Sequence, residues 1–334
     1  MGAERFLVTG AQGCIGAWVS KTLLELGHDV TAFDIGRELT LLTRLIPPES
    51  LQRVDFVFGD VNNDELLQRV IEEKGITHVI HLAGLMTPAC KAQPLVGARV
   101  NVMGTLTILE AIRTHKEQIK CLAYASSAAV LGPDEEYDLH PVPDSARPLP
   151  STLYGVYKRT TEDCARIYWE QEGVRSVGLR PGVVYGPGRE TGLSAGPTLA
   201  VRAALLGQEC DIAFGGTVNM QYVGDVAQSF CLSALKAPPG ALVCNMNGQV
   251  MDVETIVAEI ESLFPSAAGR ISYRPDERIG LAAYVDDSTL QGIIGPFEPT
   301  PFREGIRRTA GYYRQVCGLD GETTPPKRCR GGAG

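Results

Sequence analysis

Short apolar runs alternate with longer stretches of helical spacing through the first half of the chain. The apolar runs predict strands at Phe6–Thr9, Asp29–Asp34, Val54–Phe58, His78–Leu82, Ile119–Ala125 and Val174–Leu179. The stretches between them predict helices at Ile15–Leu26, Asp64–Lys74, Gln93–His115 and Ser151–Glu172. Strands that alternate with helices of this length are typical of a parallel sheet with helices on both faces, so we expect an α/β fold.

The alternation changes beyond Gly186. Residues 186–216 are rich in glycine, and the pattern after them is less regular. Further elements are predicted as a helix near Pro197–Leu206, a strand near Met220–Val223, a helix over Asp225–Lys236 and a strand near Leu242–Met246. Segment 132–150, rich in proline and acidic residues, is expected to be a long surface loop, and such loops often close over a site.

Composition narrows the class of protein. The 334 residues are 44% hydrophobic and 21% charged, which is ordinary for a globular enzyme, and the net charge of -8 disfavours nucleic acid or an anionic membrane as a partner. The N-terminus does not have the pattern of a signal peptide, so we expect a cytoplasmic protein. The nine cysteines include no C-x-x-C pair, and no histidine pair has metal-ligand spacing with a carboxylate, so we expect buried thiols and no metal site.

A glycine-rich turn follows the first predicted strand. Gly10, Gly13 and Gly16 let the backbone approach a pyrophosphate closely, and the helix that begins there presents free N–H groups to it. Asp34, about 20 residues further on at the end of the second strand, can bind ribose hydroxyls and would repel a 2′-phosphate. The turn therefore predicts a dinucleotide site that prefers NAD to NADP, although Arg37 nearby could weaken the preference. A glycine turn without a ligand is the alternative.

Tyr154 and Lys158 are four residues apart on one predicted helix, so they share a face. An ammonium beside a phenol lowers the pKa of the phenol, and we expect Lys158 to make Tyr154 a general base in this way. Ser127, at the end of a strand, could hold the substrate oxygen. Taken alone, each could be an ordinary surface or strand residue, and Ser126 and Tyr157 are adjacent residues of the same type.

The order and spacing of these motifs resemble the extended short-chain dehydrogenase/reductase family, which holds nucleotide-sugar epimerases and dehydratases. Besides the glycine turn and the Y-x-x-x-K of Tyr154 and Lys158, the likeness is carried by Gly59–Val61, His81–Gly84, Asn101–Thr105, Ser126–Gly132, Leu179–Gly182, Tyr185–Gly188 and Val223–Ala227. It is strong over residues 4–250 and loose beyond them. Hydride transfer between a substrate carbon and the nicotinamide ring is the chemistry that this resemblance implies.

The resemblance also implies a domain organisation. We expect a Rossmann-type, doubly wound parallel sheet with a smaller, discontinuous C-terminal lobe. Residues 1–185, joined by about 217–250, would bind NAD, residues 186–216 and 251–318 would form the substrate-binding lobe, and 319–334 would be a disordered tail. The family further implies a homodimer, formed through helices over roughly 93–115 and 151–172.

Site residues follow from the same resemblance. Ser127, Tyr154 and Lys158 are the expected catalytic residues, with Ser127 preferred to Ser126 because in the family the serine directly before the small residue faces the site. The expected cofactor contacts are Gly10, Gly13, Cys14, Ile15, Gly16, Asp34, Asp60, Val61, Leu82, Ala83, Gly84, Asn101, Tyr154, Lys158, Pro181 and Val183, with Asn101 mainly orienting a helix. The expected substrate contacts are Thr87, Ser127, Arg189 and Ser194.

Three departures from the family pattern narrow the function. Ala128 and Ala129 replace the acidic pair of dehydratases, so dehydration is disfavoured. Gly182 stands where nucleotide-sugar enzymes often have asparagine, and the segment 219–222 lacks the arginine that often grips a diphosphate. Arg189 or Arg202 could replace that arginine. A smaller polyhydroxylated substrate, such as a free sugar, a sugar acid or a hydroxy acid, therefore becomes credible.

Three functions remain open at the level of sequence. The first is an NAD-dependent oxidoreductase or epimerase that acts on a secondary hydroxyl of a sugar-like substrate. The second is a dehydrogenase of a small sugar, sugar acid or hydroxy acid that releases NADH. The third, of a different class, is a non-catalytic NAD sensor or scaffold, because a fold does not fix a function.

Overall fold

The computed structural model describes residues 2–319, so the predicted tail over 319–334 lies outside the described residues apart from Leu319. The strands are β1 Arg5–Thr9, β2 Asp29–Asp34, β3 Val54–Phe58, β4 His78–His81, β5 Cys121–Ala125, β6 Ser176–Arg180, β7 Val183–Tyr185, β8 Cys210–Ile212, β9 Thr217–Tyr222, β10 Ala241–Asn245, β11 Gln249–Asp252 and β12 Ile271–Tyr273. The helices are α1 Cys14–Glu25, α2 Thr40–Leu45, α3 Pro48–Leu51, α4 Asp64–Lys74, α5 Thr87–Ala92, α6 Pro94–Ala98, α7 Gly104–Thr114, α8 Leu153–Glu172, α9 Gly196–Leu206, α10 Val223–Lys236, α11 Val253–Leu263, α12 Ser288–Ile294 and α13 Phe302–Cys317.

Seven strands form the main sheet in the order β10-β6-β5-β4-β1-β2-β3, and every neighbouring pair is parallel. Successive side chains of β1 point to opposite faces of the main sheet. Phe6 and Val8 therefore pack in the hydrophobic core on one face, and Leu7 packs in the core on the other. The order reverses between β1 and β4, where a doubly wound sheet opens a crevice for a ligand. The expected Rossmann-type α/β fold is confirmed.

Helix ends explain why several predicted bounds are correct. The Asn63 side chain accepts a hydrogen bond of 3.0 Å from the Leu66 amide at the start of α4, and Gly75 ends that helix with a φ of 59°. Thr152 caps the start of α8, two residues before Tyr154, and accepts from the Gly155 amide at 3.1 Å. The cap fixes where α8 begins and so sets the position of the tyrosine.

The stretch predicted as one helix over 93–115 is interrupted by a π-helical turn at Arg99–Met103, between α6 and α7. One extra residue per turn at this point rotates Asn101 into the core, where it is 1% exposed. The whole stretch Pro94–Thr114 is long and apolar enough to cross a membrane, with 44% of its most apolar window buried. A core helix passes the same test, and Ile108, Leu109 and Ile112 are such core residues here.

Beyond Gly186 the chain builds smaller sheets. Strands β7, β9 and β11 form one of three strands, and β8 pairs with β12. We expected segment 217–250 to belong to the NAD-binding domain. Strand β10 of this segment lies in the main sheet, and helix α10 packs against α1. Strand β9 of the same segment pairs instead with β7 and β11 in the three-stranded sheet. The division into an NAD-binding domain and a substrate-binding lobe stays a prediction.

The loop over 132–150 is fastened to the main sheet and to the C-terminal part of the chain. Arg180 of β6 donates to the Asp144 carbonyl oxygen at 3.0 Å, and Asn245 of β10 donates to the Val142 carbonyl oxygen at 3.0 Å. Arg180 also forms a buried ion pair with Glu162 of α8 at 2.7 Å. Val142 is itself buried and pairs with Val285 of the C-terminal part. These contacts hold the middle of the loop in place.

Candidate active site

The glycine turn lies at the C-terminal edge of β1 and packs tightly on its neighbours. Gly10 has a φ of 68°, and a Cβ there would come within 2.7 Å of the Ala83 amide nitrogen. A Cβ on Gly16 would come within 2.1 Å of the Gly10 carbonyl oxygen. The turn therefore needs glycine at both positions, and its shape leaves the N-terminus of α1 open to a phosphate.

Asp34 is held beside this turn by backbone amides. Its carboxylate accepts from the Gln12 amide at 2.9 Å and from the Gly36 amide at 3.1 Å. Arg37 lies over the Phe58 ring, 5.5 Å from its centre, and makes no ion pair with Asp34 within residues 2–319. The carboxylate therefore keeps free lone pairs for ribose hydroxyls, as the sequence predicts. These features fit the dinucleotide that the chain uses.

A cavity of about 310 Å³ extends from the turn to the ends of β4 and β5. Its lining includes most of the predicted site residues, namely Gly10, Gly13, Cys14, Ile15, Gly16, Leu82, Gly84, Thr87, Ser127, Tyr154, Lys158, Pro181, Arg189 and Ser194. Several others lie elsewhere: Ala83 supports Gly10 from below, Asp60 is on an exposed acidic rim, and Val61 is buried against Gly104. Val183 lines a second cavity beside the first.

Asn101 lies under the same cavity. Its side-chain amide donates to the carbonyl oxygens of Leu85, at 3.1 Å, and Gly97, at 3.0 Å. Its Oδ1 is buried without a hydrogen-bond partner among residues 2–319, and a Cβ on Gly84 would come within 2.7 Å of it. The two donated bonds support the expected orienting role, and the bare oxygen is an acceptor that a ligand or water could satisfy.

Ser127, Tyr154 and Lys158 converge on one wall of the cavity. The Tyr154 hydroxyl is hydrogen-bonded to the Ser127 side chain, and Ser127 Oγ also accepts from the Ala129 amide at 3.1 Å. Lys158 Nζ donates to the Ala125 carbonyl oxygen at 2.7 Å and lies 5.7 Å from the centre of the Tyr154 ring. Ser126 also lines the cavity, but its hydroxyl donates to the buried Glu162. The geometry separates the two adjacent serines.

The surroundings of Tyr154 act on its pKa in opposite directions. Burial raises the pKa of Tyr154, while the hydrogen bond to Ser127 and the charge of Arg189 lower it. Lys158 Nζ lies close to the same ring, and its role in making Tyr154 a general base stays a prediction. Burial lowers the pKa of Lys158 itself to about 8.

The predicted substrate contacts are brought together. Arg189 Nη2 donates to Ser194 Oγ at 2.9 Å, and Thr87, the first residue of α5, lines the same cavity. Arg202, the other candidate for a missing arginine, does not line this cavity and lies 3.8 Å from Glu190. Met86, whose sulfur contacts Arg189, lies in segment 85–94, which we expect to line the pocket. Sequence reasoning missed Ile279 and Leu281, which line the cavity from the C-terminal part and which no motif marks.

Gly182 and segment 219–222, where the chain departs from the family pattern, lie together and form a cluster of uncharged groups. Gln221 Oε1 accepts from the Gly182 amide at 3.0 Å, and its Nε2 donates to the Met246 carbonyl oxygen at 2.6 Å. The Asn219 amide donates to the Ala283 carbonyl oxygen at 3.1 Å. The second cavity, of about 260 Å³, adjoins this cluster and shares Gly182 with the first. The amide groups here are engaged with the protein itself.

Comparison with known proteins identifies one family that this chain resembles. A family model described as the NAD dependent epimerase/dehydratase family matches residues 6–243. UDP-glucose 4-epimerase of Azospirillum brasilense is 29% identical over 281 residues, which make up 78% of each chain. UDP-glucuronate 4-epimerase 3 of Arabidopsis thaliana is 30% identical over 339 residues, covering 92% of this chain and 76% of that protein.

Solved structures show the same fold. A UDP-N-acetylglucosamine 4-epimerase from Methanobrevibacter ruminantium M1, in complex with UDP-N-acetylmuramic acid, superposes with a TM-score of 0.81 and is 26% identical. The match covers 95% of this chain and 100% of that one. A Thermus thermophilus UDP-glucose 4-epimerase in complex with NAD has a TM-score of 0.79 and 26% identity, covering 93% and 99% of the two chains.

Proposed function

Because the chain belongs to the NAD-dependent epimerase/dehydratase family, we propose that it moves hydride between NAD and a secondary hydroxyl of a sugar-like substrate, with Tyr154 as the base. It is an NAD-dependent enzyme of the extended short-chain dehydrogenase/reductase type. The observation that carries the proposal is the convergence of Ser127, Tyr154 and Lys158 in the cavity that begins at the glycine turn.

Each side chain has a separate task in this proposal. NAD supplies the hydride acceptor when bound. Ser127 holds the substrate oxygen, and the Tyr154 phenolate takes the hydroxyl proton as the C–H hydride leaves, so that a carbonyl is formed. Lys158 is fixed by the Ala125 carbonyl oxygen and has two further N–H donors for a ribose. Return of hydride and proton to the other face gives an epimer, and release of the keto product with NADH gives a dehydrogenase.

The lining of the second cavity bears on the size of the substrate. A pyrophosphate needs cationic or amide N–H partners, and the Asn219 and Gln221 donors beside Gly182 are already used within the protein. Arg278, which also lines the second cavity, is the cation on that side. The relatives named above are epimerases of nucleotide sugars. Both kinds of substrate therefore belong in any assay panel.

The same chain offers a matched pair of variants for the test. Tyr154→Phe removes the proposed base, whereas Tyr157→Phe removes a nearby hydroxyl that donates to the Pro94 carbonyl oxygen at 2.9 Å. We expect Tyr154→Phe to lower kcat/KM by about 10²–10⁴-fold with NAD affinity retained. Tyr157→Phe should keep full activity, and steady-state kinetics with calorimetric NAD binding checks both expectations.

Retention of full turnover by Tyr154→Phe would contradict the proposal, whereas a wild type that binds NAD and converts no substrate of the panel would favour the NAD-sensor alternative. For the wild type, the amount of NADH formed per product separates the two outcomes of hydride transfer. Stoichiometric NADH indicates a dehydrogenase, and product without free NADH indicates an epimerase.

We also propose a homodimer. Large apolar side chains are exposed on the helical stretch that holds α6 and on the adjacent α8, with Leu95 86% exposed. The others are Val96, Met103, Leu153 and Val156. An exposed apolar patch of this kind marks a protein–protein contact.

A further inference from the structure

Arg189 is a cation that lacks an anionic partner inside the candidate active site. Its Nη2 donates to Ser194 Oγ and its Nη1 contacts the Met86 sulfur at 3.4 Å, and both acceptors are neutral. Its Nε is buried with no acceptor, and no carboxylate pairs with Arg189 in the described part of the chain. A guanidinium has five N–H donors, so most of its capacity is unused.

The side chains around Arg189 supply no anionic partner for its guanidinium among the described residues. The neighbouring Glu190 lies 3.8 Å from Arg202 and accepts from the Tyr313 hydroxyl at 3.2 Å, so it is turned away from the cavity. The buried Arg180, in contrast, has Glu162 as its partner at 2.7 Å. A half-buried cation without a partner carries a desolvation cost that an anionic ligand would offset.

Arg189 also lies close to the reacting groups. It lines the same cavity as Ser127 and Tyr154, and its charge acts on the Tyr154 phenol. The planar fork of a guanidinium matches a carboxylate, with two parallel N–H···O bonds. Ser194 already fixes one arm of the fork, and flanking glycines Gly188 and Gly192, with φ of 89° and 93°, shape the loop that carries it.

We propose that Arg189, supported by Ser194, binds a carboxylate of the substrate, so that the enzyme oxidises or epimerises a hydroxy acid of the sugar-acid class. The inference rests on the proposed function, since it names the substrate class of the same site. The phosphates of NAD are the other anion within this cavity, and the glycine turn already provides amides for them. The carboxylate specifies which sugar-like molecule enters, and the Ser127–Tyr154 pair acts on its hydroxyl.

The experiment compares pairs of probes that differ only in charge. Each aldonate is matched with the alditol that has CH2OH in place of the carboxylate, and a nucleotide-linked uronic acid with the neutral nucleotide sugar. Binding to the enzyme–NADH complex is measured by calorimetry, and turnover with NAD or NADH by absorbance. The variants are Arg189→Gln and, as the control outside the cavity, Arg202→Gln.

We expect the wild type to bind at least one acid about 100-fold more tightly than its neutral partner. Arg189→Gln should lose about 100-fold for the acid and little for the neutral probe, with NAD affinity within about 3-fold of the wild type. Arg202→Gln should keep the preference for the acid. Turnover of the acid should fall in parallel with its binding in Arg189→Gln.

Two results would overturn the assignment. One is a wild type that binds no acid better than its neutral partner at millimolar concentration. The other is an Arg189→Gln variant that loses NAD affinity and keeps its acid preference, because the guanidinium would then serve the cofactor phosphates. Failure of the proposed function gives a different result from failure of this assignment. If only the proposed function were wrong, binding of the acid would still depend on Arg189, but Tyr154→Phe would keep its turnover.

Discussion

Ser126 and Ser127 both line the cavity, but their hydroxyls have different partners. Ser126 binds the carboxylate of Glu162, which is ion-paired to Arg180, and so belongs to the contacts that join α8 to β6. Ser127 bonds to Tyr154. The choice of Ser127 as the catalytic serine stays a prediction of the family resemblance. The sequence does not show that the charge of Arg189 acts on the Tyr154 phenol, because the direction of a side chain depends on contacts distant in sequence.

His81 lies beneath the cavity as a buried, neutral link between two hydroxyls. Its Nδ1 is 2.7 Å from Thr9 Oγ1, and its Nε2 is 3.2 Å from Thr105 Oγ1, which donates in turn to the Asn101 carbonyl oxygen at 2.7 Å. The chain of bonds ties β1 and β4 to the π-helical turn. Burial lowers the pKa of His81 to about 3, with the charge of Lys158 acting in the same direction.

This depressed pKa predicts a dependence of stability on pH. The unfolded chain takes up a proton at His81 below its ordinary value of 6.5 and the folded chain does not, so stability falls as the pH drops from 6.5 towards 3. Well below 6.5 the contribution is about 1.4 kcal/mol per pH unit. His81→Asn should reduce the slope of unfolding free energy against pH by this amount, as measured by denaturant titration.

His78 contributes a similar effect in the wild type and in His81→Asn, because burial lowers its pKa to about 4. An unchanged slope in His81→Asn would contradict the neutral link.

At the scale of elements, the pattern of apolar residues predicted the strands of the main sheet to within two residues at each end. The spacing of apolar residues and the residue types that form turns are local properties, so they are visible in the sequence. Helices α2, α3 and α5 were not predicted, because each has only four to six residues. The elements after β10 were not predicted either, although α11 and α13 are long helices that bury one face, so their pattern is present in the sequence. The π-helical turn at Arg99–Met103 was also missed.

The glycine turn gives a prediction at this scale. Gly16→Ala places a Cβ against the Gly10 carbonyl oxygen at 2.1 Å, so the turn between β1 and α1 must open. We expect NAD affinity to fall by at least about 10-fold, since the amides of the turn would no longer converge. Isothermal titration with NAD measures it.

Gly311→Ala is the matched control, because Gly311 lies in α13 with open space around its Cα. Alanine there should leave NAD affinity unchanged and stabilise the fold by about 0.5–1 kcal/mol through helix propensity. Equal NAD affinity in Gly16→Ala and Gly311→Ala would contradict the proposed role of the turn.

At the scale of the whole molecule, the cavity draws on parts far apart in the sequence. Ile279 and Leu281 reach it from the C-terminal part, which has few recognisable motifs. The family likeness therefore predicted the cofactor half of the site more completely than the substrate half. The uncharged side chains around Gly182 and the unpaired Arg189 result from contacts between residues distant in the sequence. They determine which polar groups face the substrate side of the site.

The apolar patch on α6 and α8 predicts the assembly. Leu95→Glu combined with Val156→Glu places charges on this patch, and we expect a dimer to become a monomer in light scattering at micromolar concentration. Leu26→Glu, at the end of α1 and 46% exposed, is the control and should leave the mass unchanged. A monomeric wild type would contradict the proposal.

The central claim is that the cavity from the glycine turn to Tyr154 transfers hydride from a substrate hydroxyl to NAD. A single-turnover experiment tests it most directly, with the NAD-loaded enzyme in excess over each member of a panel of sugars, sugar acids and nucleotide sugars. We predict that at least one substrate gives a rise in reduced-nicotinamide absorbance, transient for an epimerase and lasting for a dehydrogenase, and that Tyr154→Phe abolishes it. An equal rise in Tyr154→Phe, or conversion of a substrate with no reduced cofactor at any time, would contradict the account.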